Sequence, residues 1–240
     1  IRDTLLVAVS REDTAKAILE SSTSLQKVVS YDVSGALNWQ KSGANSVRPR
    51  EIFEIYEDLK RDTDSISLPA FSCNKEKDVP EPELDGMAVF QKEKLAGFLN
   101  DELVPYFMYL VEPLERGTYA FYLDGDPNKG VSLLLSSSKP KLSYQETEDG
   151  MVYTAKVEVK CNISNLSPQI GKLDEKMIKT LEQQAAADLS KRIRETVETL
   201  QQTTETDIFG FGKAVYQKDP KLWKRIGNNR VEIFKNADVE

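Results

Sequence analysis

The stretch LDEKMIKTLEQQAAADLSKRIRETVETLQQTTETDIFGFGKAVYQKDPKLW, residues 173–223, decides the fold. Its apolar residues recur at Ile178, Leu181, Ala185, Leu189, Ile193, Val197 and Leu200, in steps of three or four. At about 100° per residue that stripe drifts only about 40° around the axis over its whole length. The spacing predicts one straight helix over 173–203 with a single buried face. Lys179, Glu182, Lys191, Arg194, Glu195 and Glu198 fall on the other faces and read as solvent-facing. Asp207-Ile-Phe-Gly-Phe-Gly212 follows. Its two glycines allow a positive φ or a close approach as the chain leaves the helix, and Phe209 and Phe211 are placed to plug the core. Pro220 then opens a short amphipathic turn that ends on Trp223, which reads as core.

Upstream, residues 117–123, 130–136 and 151–162 read as strands, with a further strand over 139–144. The segment 151–162 alternates Val157, Val159 and Cys161 against Lys156, Glu158 and Lys160, the pattern of an antiparallel strand with one wet face. Asn100 is placed to cap a helix over 101–109, with Pro105 in its first turn. Strands first and a long helix after them give an α+β domain over 101–240, a mostly antiparallel sheet packed against one long helix.

Residues 1–100 read as a second, α/β region. The apolar run 4–10 is a buried strand feeding a short helix over 14–20. A helix is expected from Pro49 to Arg61, then a short strand over 66–71 interrupted by Pro69. Residues 86–90 and 95–99 form a hairpin. Residues 25–33 read as helix or strand, and 39–47 and 73–83 as loops.

The long helix, the DIFGFG block, a short segment, and then Pro220 and Trp223 resemble the C-terminal domain of the Ger(x)C family, the C subunits of bacterial spore germinant receptors. LDGMAVFQKEKLAGFL, residues 84–99, is similar to that family's L.G.AVF..DKL.G.L segment, and RDTLLVAVSREDTAKAILE, residues 2–20, is similar to a third block. The three blocks stand in family order and span most of the chain. One departure is Arg230, which stands near the place where the family usually has another Trp before a final strand; this leaves the edge of the C-terminal sheet open. The resemblance implies a non-enzymatic, lipid-anchored protein on the outer face of the spore inner membrane, acting with the other, membrane-associated receptor subunits and without a cofactor. It implies an N-terminal domain and a lipid-modified Cys ahead of Ile1. A chain that begins without Met, inside an expected strand, is therefore expected to be a fragment, with 1–100 holding the remainder of that domain plus the hairpin 86–99. The alternative is a nutrient-binding lipoprotein, marked by a concave pocket lined by aromatic residues between the two domains. A third reading is a hydrolase with a carboxylate pair.

Composition bounds these readings. A net charge of −7 and a pI near 5.0 argue against nucleic acid as a partner. No apolar run approaches the roughly 18 residues of a membrane span. The chain has no His, which removes His-assisted triads and His metal ligands. Two cysteines, Cys73 and Cys161, are too few for a disulfide framework; they either pair or stay as separate thiols, and separate thiols are favoured.

Four motifs invite chemistry, and each has a plainer explanation. Asp124-Gly-Asp-Pro-Asn-Lys-Gly130 imitates the start of a calcium loop, but Gly sits at its seventh position and Leu135 at its twelfth, where a Glu is required. A tight turn explains the same residues. The FGFGK segment lacks the strand before it and the Ser or Thr after Lys213 that a phosphate loop needs. Glu146, Glu148 and Asp149, like Asp124 and Asp126, read as solvated loop charge. Trp39, in a polar stretch, either anchors an interface or caps a small core. No catalytic, cofactor-binding or metal-ligating residue is expected, and Trp39 is the candidate interface residue.

Overall fold

The computed structural model describes residues 4–22, 28–40, 47–60, 65–74, 80–148 and 150–239. The first part of the chain runs β1 (Leu6–Val7), β2 (Val9–Ser10), α1 (Ala15–Leu19), α2 (Val29–Trp39), β3 (Arg50–Glu51) and α3 (Ile52–Lys60). Then come β4 (Ser65–Asn74), β5 (Glu81–Gln91), β6 (Lys94–Leu99) and α4 (Val104–Val111). The rest is β7 (Thr118–Tyr122), β8 (Gly130–Thr147), β9 (Gly150–Leu166), α5 (Glu175–Thr203), α6 (Phe211–Lys218), α7 (Pro220–Ile226), α8 (Arg230–Asn236) and β10 (Asp238–Val239).

The fold is α+β. One four-stranded sheet has the order β2-β4-β5-β6 and another the order β10-β9-β8-β7; both are antiparallel except for the short parallel pairs β2–β4 and β10–β9. The long helix lies where its periodicity predicts. Asp174 caps it, its carboxylate accepting the Met177 N–H at 2.8 Å. Leu181, Leu189, Ile193, Val197 and Leu200 are buried, whereas Ile178, one turn earlier, is 40% exposed. Burial of five such side chains contributes roughly 1.5–3 kcal/mol each. Helix α4 is almost wholly apolar and packs against both α5 and β8. Its Phe107 and Met108 join Met87, Val89 and Leu99 of the β5–β6 hairpin in one core that continues to Phe234. A smaller core gathers Ile18, Val29, Leu37 and Phe71.

Several local expectations are corrected. The apolar run 4–10 is not one buried strand. It breaks at Ala8, so Leu6 and Val7 pair with β3 while Val9 and Ser10 pair with β4, and all four are only half-buried. Residues 130–136 and 139–144 belong to a single strand, β8, which passes through Pro140. A register shift between Leu135 and Ser137 absorbs one extra residue ahead of that proline. Likewise β4 runs ten residues through Pro69, with a shift between Pro69 and Phe71. Both β4 and β5 extend into the segment 73–83 expected as loop. The ambiguous segment 25–33 is helical from Val29, and the helix starting after Pro49 opens only at Ile52. Helix α4 opens at Val104, three residues after the expected start, with Asp101–Leu103 as a turn. Arg61, most of the loop 39–47, part of 73–83 and Asp149 lie outside the described residues.

Candidate functional site

The loop that ends the long helix is built around one carboxylate. The Thr204 hydroxyl donates back to the Leu200 carbonyl at 2.9 Å, and Glu205 takes a left-handed φ of 52°, which stops α5. Asp207 then turns its side chain onto the four residues that follow Ile208. Its Oδ1 accepts the N–H groups of Phe209, Gly210 and Phe211 at 3.2, 3.0 and 3.2 Å, and its Oδ2 accepts that of Gly212 at 2.6 Å. These are donors that the first turn of α6 would otherwise leave unpaired. Burial pushes the Asp207 carboxyl above the ordinary carboxylate range, and the four N–H groups pull the other way.

The two glycines serve as the sequence predicts. Gly210 has a φ of 90°. A Cβ on Gly212 would stand 3.2 Å from Asp207 Oδ2 and 3.3 Å from Trp223 Cζ3. Phe209 and Phe211 enter the core, where Phe211 lies 4.7 Å from the Tyr153 ring and Phe209 5.6 Å from the Phe107 ring. Trp223 is half-buried, against Gly212 and edge-on to Tyr216.

A cavity of about 220 Å³ lies beside this loop. The loop and Trp223 form one wall; Arg48, Arg50, Asp58 and Ser65, from the first part of the chain, form another. Phe107, Tyr153 and Phe234 complete it from the core. The Ser65 hydroxyl donates to the Asp207 carbonyl and ties the two walls together. Arg50 is 3% exposed, and its Nη2 donates to Asp58. Its Nε is buried and has no hydrogen-bond partner among the described residues. Arg48 lies 3.5 Å from Glu112 and 3.9 Å from Glu54.

A second opening, a cleft of about 740 Å³, separates α5 from β8 and β9. Val157, Val159, Ile178, Ala185, Leu189 and Val239 are among the residues that line it. Beyond Val152 and Tyr153, which pair with β10, the outer edge of β9 carries no ladder among the described residues. Below the cleft, Asp188 accepts from the Tyr119 hydroxyl and from Arg192 Nε at 2.8 Å, and Arg192 Nη1 donates to the Tyr106 hydroxyl at 3.2 Å. Burial works against the ionised Asp188, but these two donors outweigh it and hold the carboxyl below its ordinary range.

The other sequence candidates are not brought to either opening as a set. Trp39 ends α2, is 66% exposed and lines neither the cavity nor the cleft. Asp124 sits in a turn at a φ of 57°. Its carboxylate accepts from Lys129 Nζ at 3.0 Å and Gln184 Nε2 at 2.7 Å, while its N–H donates to Gln184 Oε1. Asp126 is engaged by the Asn128 N–H at 2.9 Å. Glu146 pairs with Arg225. Cys73 and Cys161 are not joined in a disulfide; the Cys73 thiol donates to the Ala17 carbonyl at 3.7 Å, and burial pushes the Cys161 thiol up. Among the described residues, no cluster of three or more His, Cys, Asp or Glu side chains is placed to hold a metal ion. Sequence reasoning missed Arg50 and the capping role of Asp207. An Asp just ahead of a glycine-rich helix start was a signal for the second; nothing local signals the first.

Residues 85–240 match the sequence pattern of the family described as spore germination B3/GerAC like, C-terminal. The chain is similar to the spore germination protein GerQC of Bacillus cereus, with 24% identity over 178 residues, 74% of this chain and 48% of that protein. It thus spans about half the length of this relative. Its fold is similar to that of the GerBC protein crystal structure, with a TM-score of 0.70 at 15% identity, covering 100% of this chain and 67% of that one. By this match over most of its length, the chain belongs to the spore germination B3/GerAC-like family, through that family's C-terminal domain.

Proposed function

We propose that the protein is a non-enzymatic component of a nutrient germinant receptor, needed for spore germination and acting through assembly with the other receptor subunits. The observation that carries this reading is the use made of Asp207–Gly212. This is the most motif-like segment within the family match, and its one carboxylate is wholly engaged in capping its own backbone. A segment of that kind supports a rigid scaffold that presents surfaces.

We place the protein on the outer face of the spore inner membrane, held by an N-terminal lipid anchor, with Trp39 in the contact to a partner subunit. Trp39 presents a large amphipathic side chain to solvent at the end of a helix. No helix among the described residues is long and apolar enough to cross a membrane. The reading is tested by using the protein as bait in detergent-solubilised spore membranes, beside Trp39→Ala. Capture of the membrane-embedded receptor subunits, reduced by the substitution, is the expected result. Failure to capture any receptor subunit sinks the assembly reading, and equal capture by both proteins removes Trp39 from the interface.

A further inference from the structure

We propose that the cavity between Arg50 and the Asp207–Gly212 loop is a binding site for a small organic carboxylate with an apolar or aromatic body. This goes beyond the assembly role and stands or falls independently of it.

The first observation is Arg50. A guanidinium has five N–H donors and cannot shed its charge. Here the residue is 3% exposed, so water does not supply its acceptors. Asp58 takes Nη2. The carboxylate of Glu54 is 3.9 Å from Nε, beyond hydrogen-bond reach. The Nε–H is left without an acceptor among the described residues, on a side chain that lines the cavity. Buried charged donors left unmade are costly, and native proteins rarely keep them without a reason.

The second observation is the balance of charge around the cavity. Arg48, Arg50 and Lys213 line it, against Asp58 and Asp207. Asp58 is held by Arg50, and both oxygens of Asp207 are taken by backbone N–H groups. Arg48 is paired with Glu112 and Glu54. Lys213 makes no ion pair among the described residues, so Lys213 and the unmet Arg50 Nε–H are what favour an anion.

Size and shape narrow the class. At about 220 Å³ the cavity is smaller than the roughly 300–1,000 Å³ that hold drug-sized ligands, so the occupant is a small solute and not a peptide segment. With Nη2 held by Asp58, the Nε–H of Arg50 offers a carboxylate one charge-assisted hydrogen bond. The wall opposite includes Phe209 and Trp223, whose rings offer a contact to an apolar body that inorganic phosphate lacks.

The test is a titration of the ¹⁵N-labelled protein, following the arginine Nε–H and tryptophan indole N–H resonances. Acetate, benzoate, phenylacetate and inorganic phosphate are added separately at constant ionic strength. The expected result is that benzoate or phenylacetate shifts one arginine Nε–H, the one absent from Arg50→Lys, together with the Trp223 indole. Lys213→Ala, on the exposed side of α6, is expected to weaken that binding roughly three- to tenfold with an otherwise native spectrum. The proposal is overturned if neither resonance moves, if phosphate moves them at lower concentration than the carboxylates, or if a natively folded Arg50→Lys binds as well as the parent. Should Arg50→Lys fail to fold, equal affinity in the parent and Lys213→Ala overturns it.

Discussion

Gly212 donates its backbone N–H to Asp207 Oδ2 at 2.6 Å, the shortest of four such bonds to one buried carboxylate. This contact joins the end of α5 to the start of α6. A residue without a Cβ suits this position, because a Cβ there would press on both Asp207 and Trp223.

Asp207→Asn keeps the shape and removes one acceptor. The amide oxygen can take the place of Oδ1, but the amide NH₂ then faces the Gly212 N–H. Two donors facing each other in a buried site cost about 1–3 kcal/mol. A lower melting temperature with retained helix content is the expected outcome; an unchanged melting temperature would mean that the loop does not depend on this cap.

Glycine substitutions separate strain from collision. Gly86 has a φ of 73°, and a Cβ on it would lie 2.0 Å from the backbone carbonyl oxygen of Leu99, which cannot move without opening the β5–β6 hairpin. Gly125 has a φ of 70° with open space around it. Gly125→Ala should therefore cost about 1 kcal/mol of backbone strain, and Gly86→Ala about 3 kcal/mol or more. Urea unfolding of the two variants measures the order; equal losses would contradict it.

Three tyrosines predict an alkaline limit to stability. Burial pushes the Tyr109 hydroxyl up to about 12. Tyr119 and Tyr153 are also raised, by burial first and then by the carboxylates of Asp188 and Asp207 respectively. A raised group contributes stability that is complete below its unfolded value, about 10, and is lost as pH rises through the folded value. Unfolding should become easier above about pH 10, and tyrosinate absorbance should appear for these three only as the fold is lost. Smooth titration of every tyrosine in the folded protein would refute this.

Asp188 has the opposite sign. Its folded pKa is depressed by Tyr119 and Arg192 despite burial, so its contribution is present above the unfolded value of about 3.9 and is lost as pH falls through the folded value. With Arg192 41% exposed, solvent screening keeps the contribution small. Asp188→Asn should flatten the acid limb of the stability profile below about pH 4, and a parallel profile would argue against the network.

The Asp124 turn should ignore calcium. Its carboxylate is already held by Lys129 within the turn and by Gln184, which fastens the β7–β8 connection to α5. Millimolar calcium is expected to leave the melting temperature unchanged, while Gln184→Ala lowers stability by about 1 kcal/mol. A calcium-dependent rise would restore the metal-loop reading.

The elements legible in the sequence are those whose cause is local. The period of Leu181, Leu189, Ile193, Val197 and Leu200 set the long helix and its buried face, because one turn of helix repeats that spacing whatever lies nearby. Alternation in β9 set an antiparallel sheet with one wet side, and the glycines of the DIFGFG block announced a backbone that side chains would obstruct. Tertiary structure decided the rest. The run 4–10 is apolar enough for one strand, yet its pairing partners lie in two sheets, and only the positions of β3 and β4 break it at Ala8. Pro69 and Pro140 look like strand ends, yet a neighbouring register shift lets each ladder continue. The cavity is the extreme case. Ser65 and Asp207, which meet across it, are 142 positions apart, and Arg50 on the same lining is 3% exposed. No local pattern encodes it, because an arginine becomes an orphaned buried donor only when the distant walls come together around it.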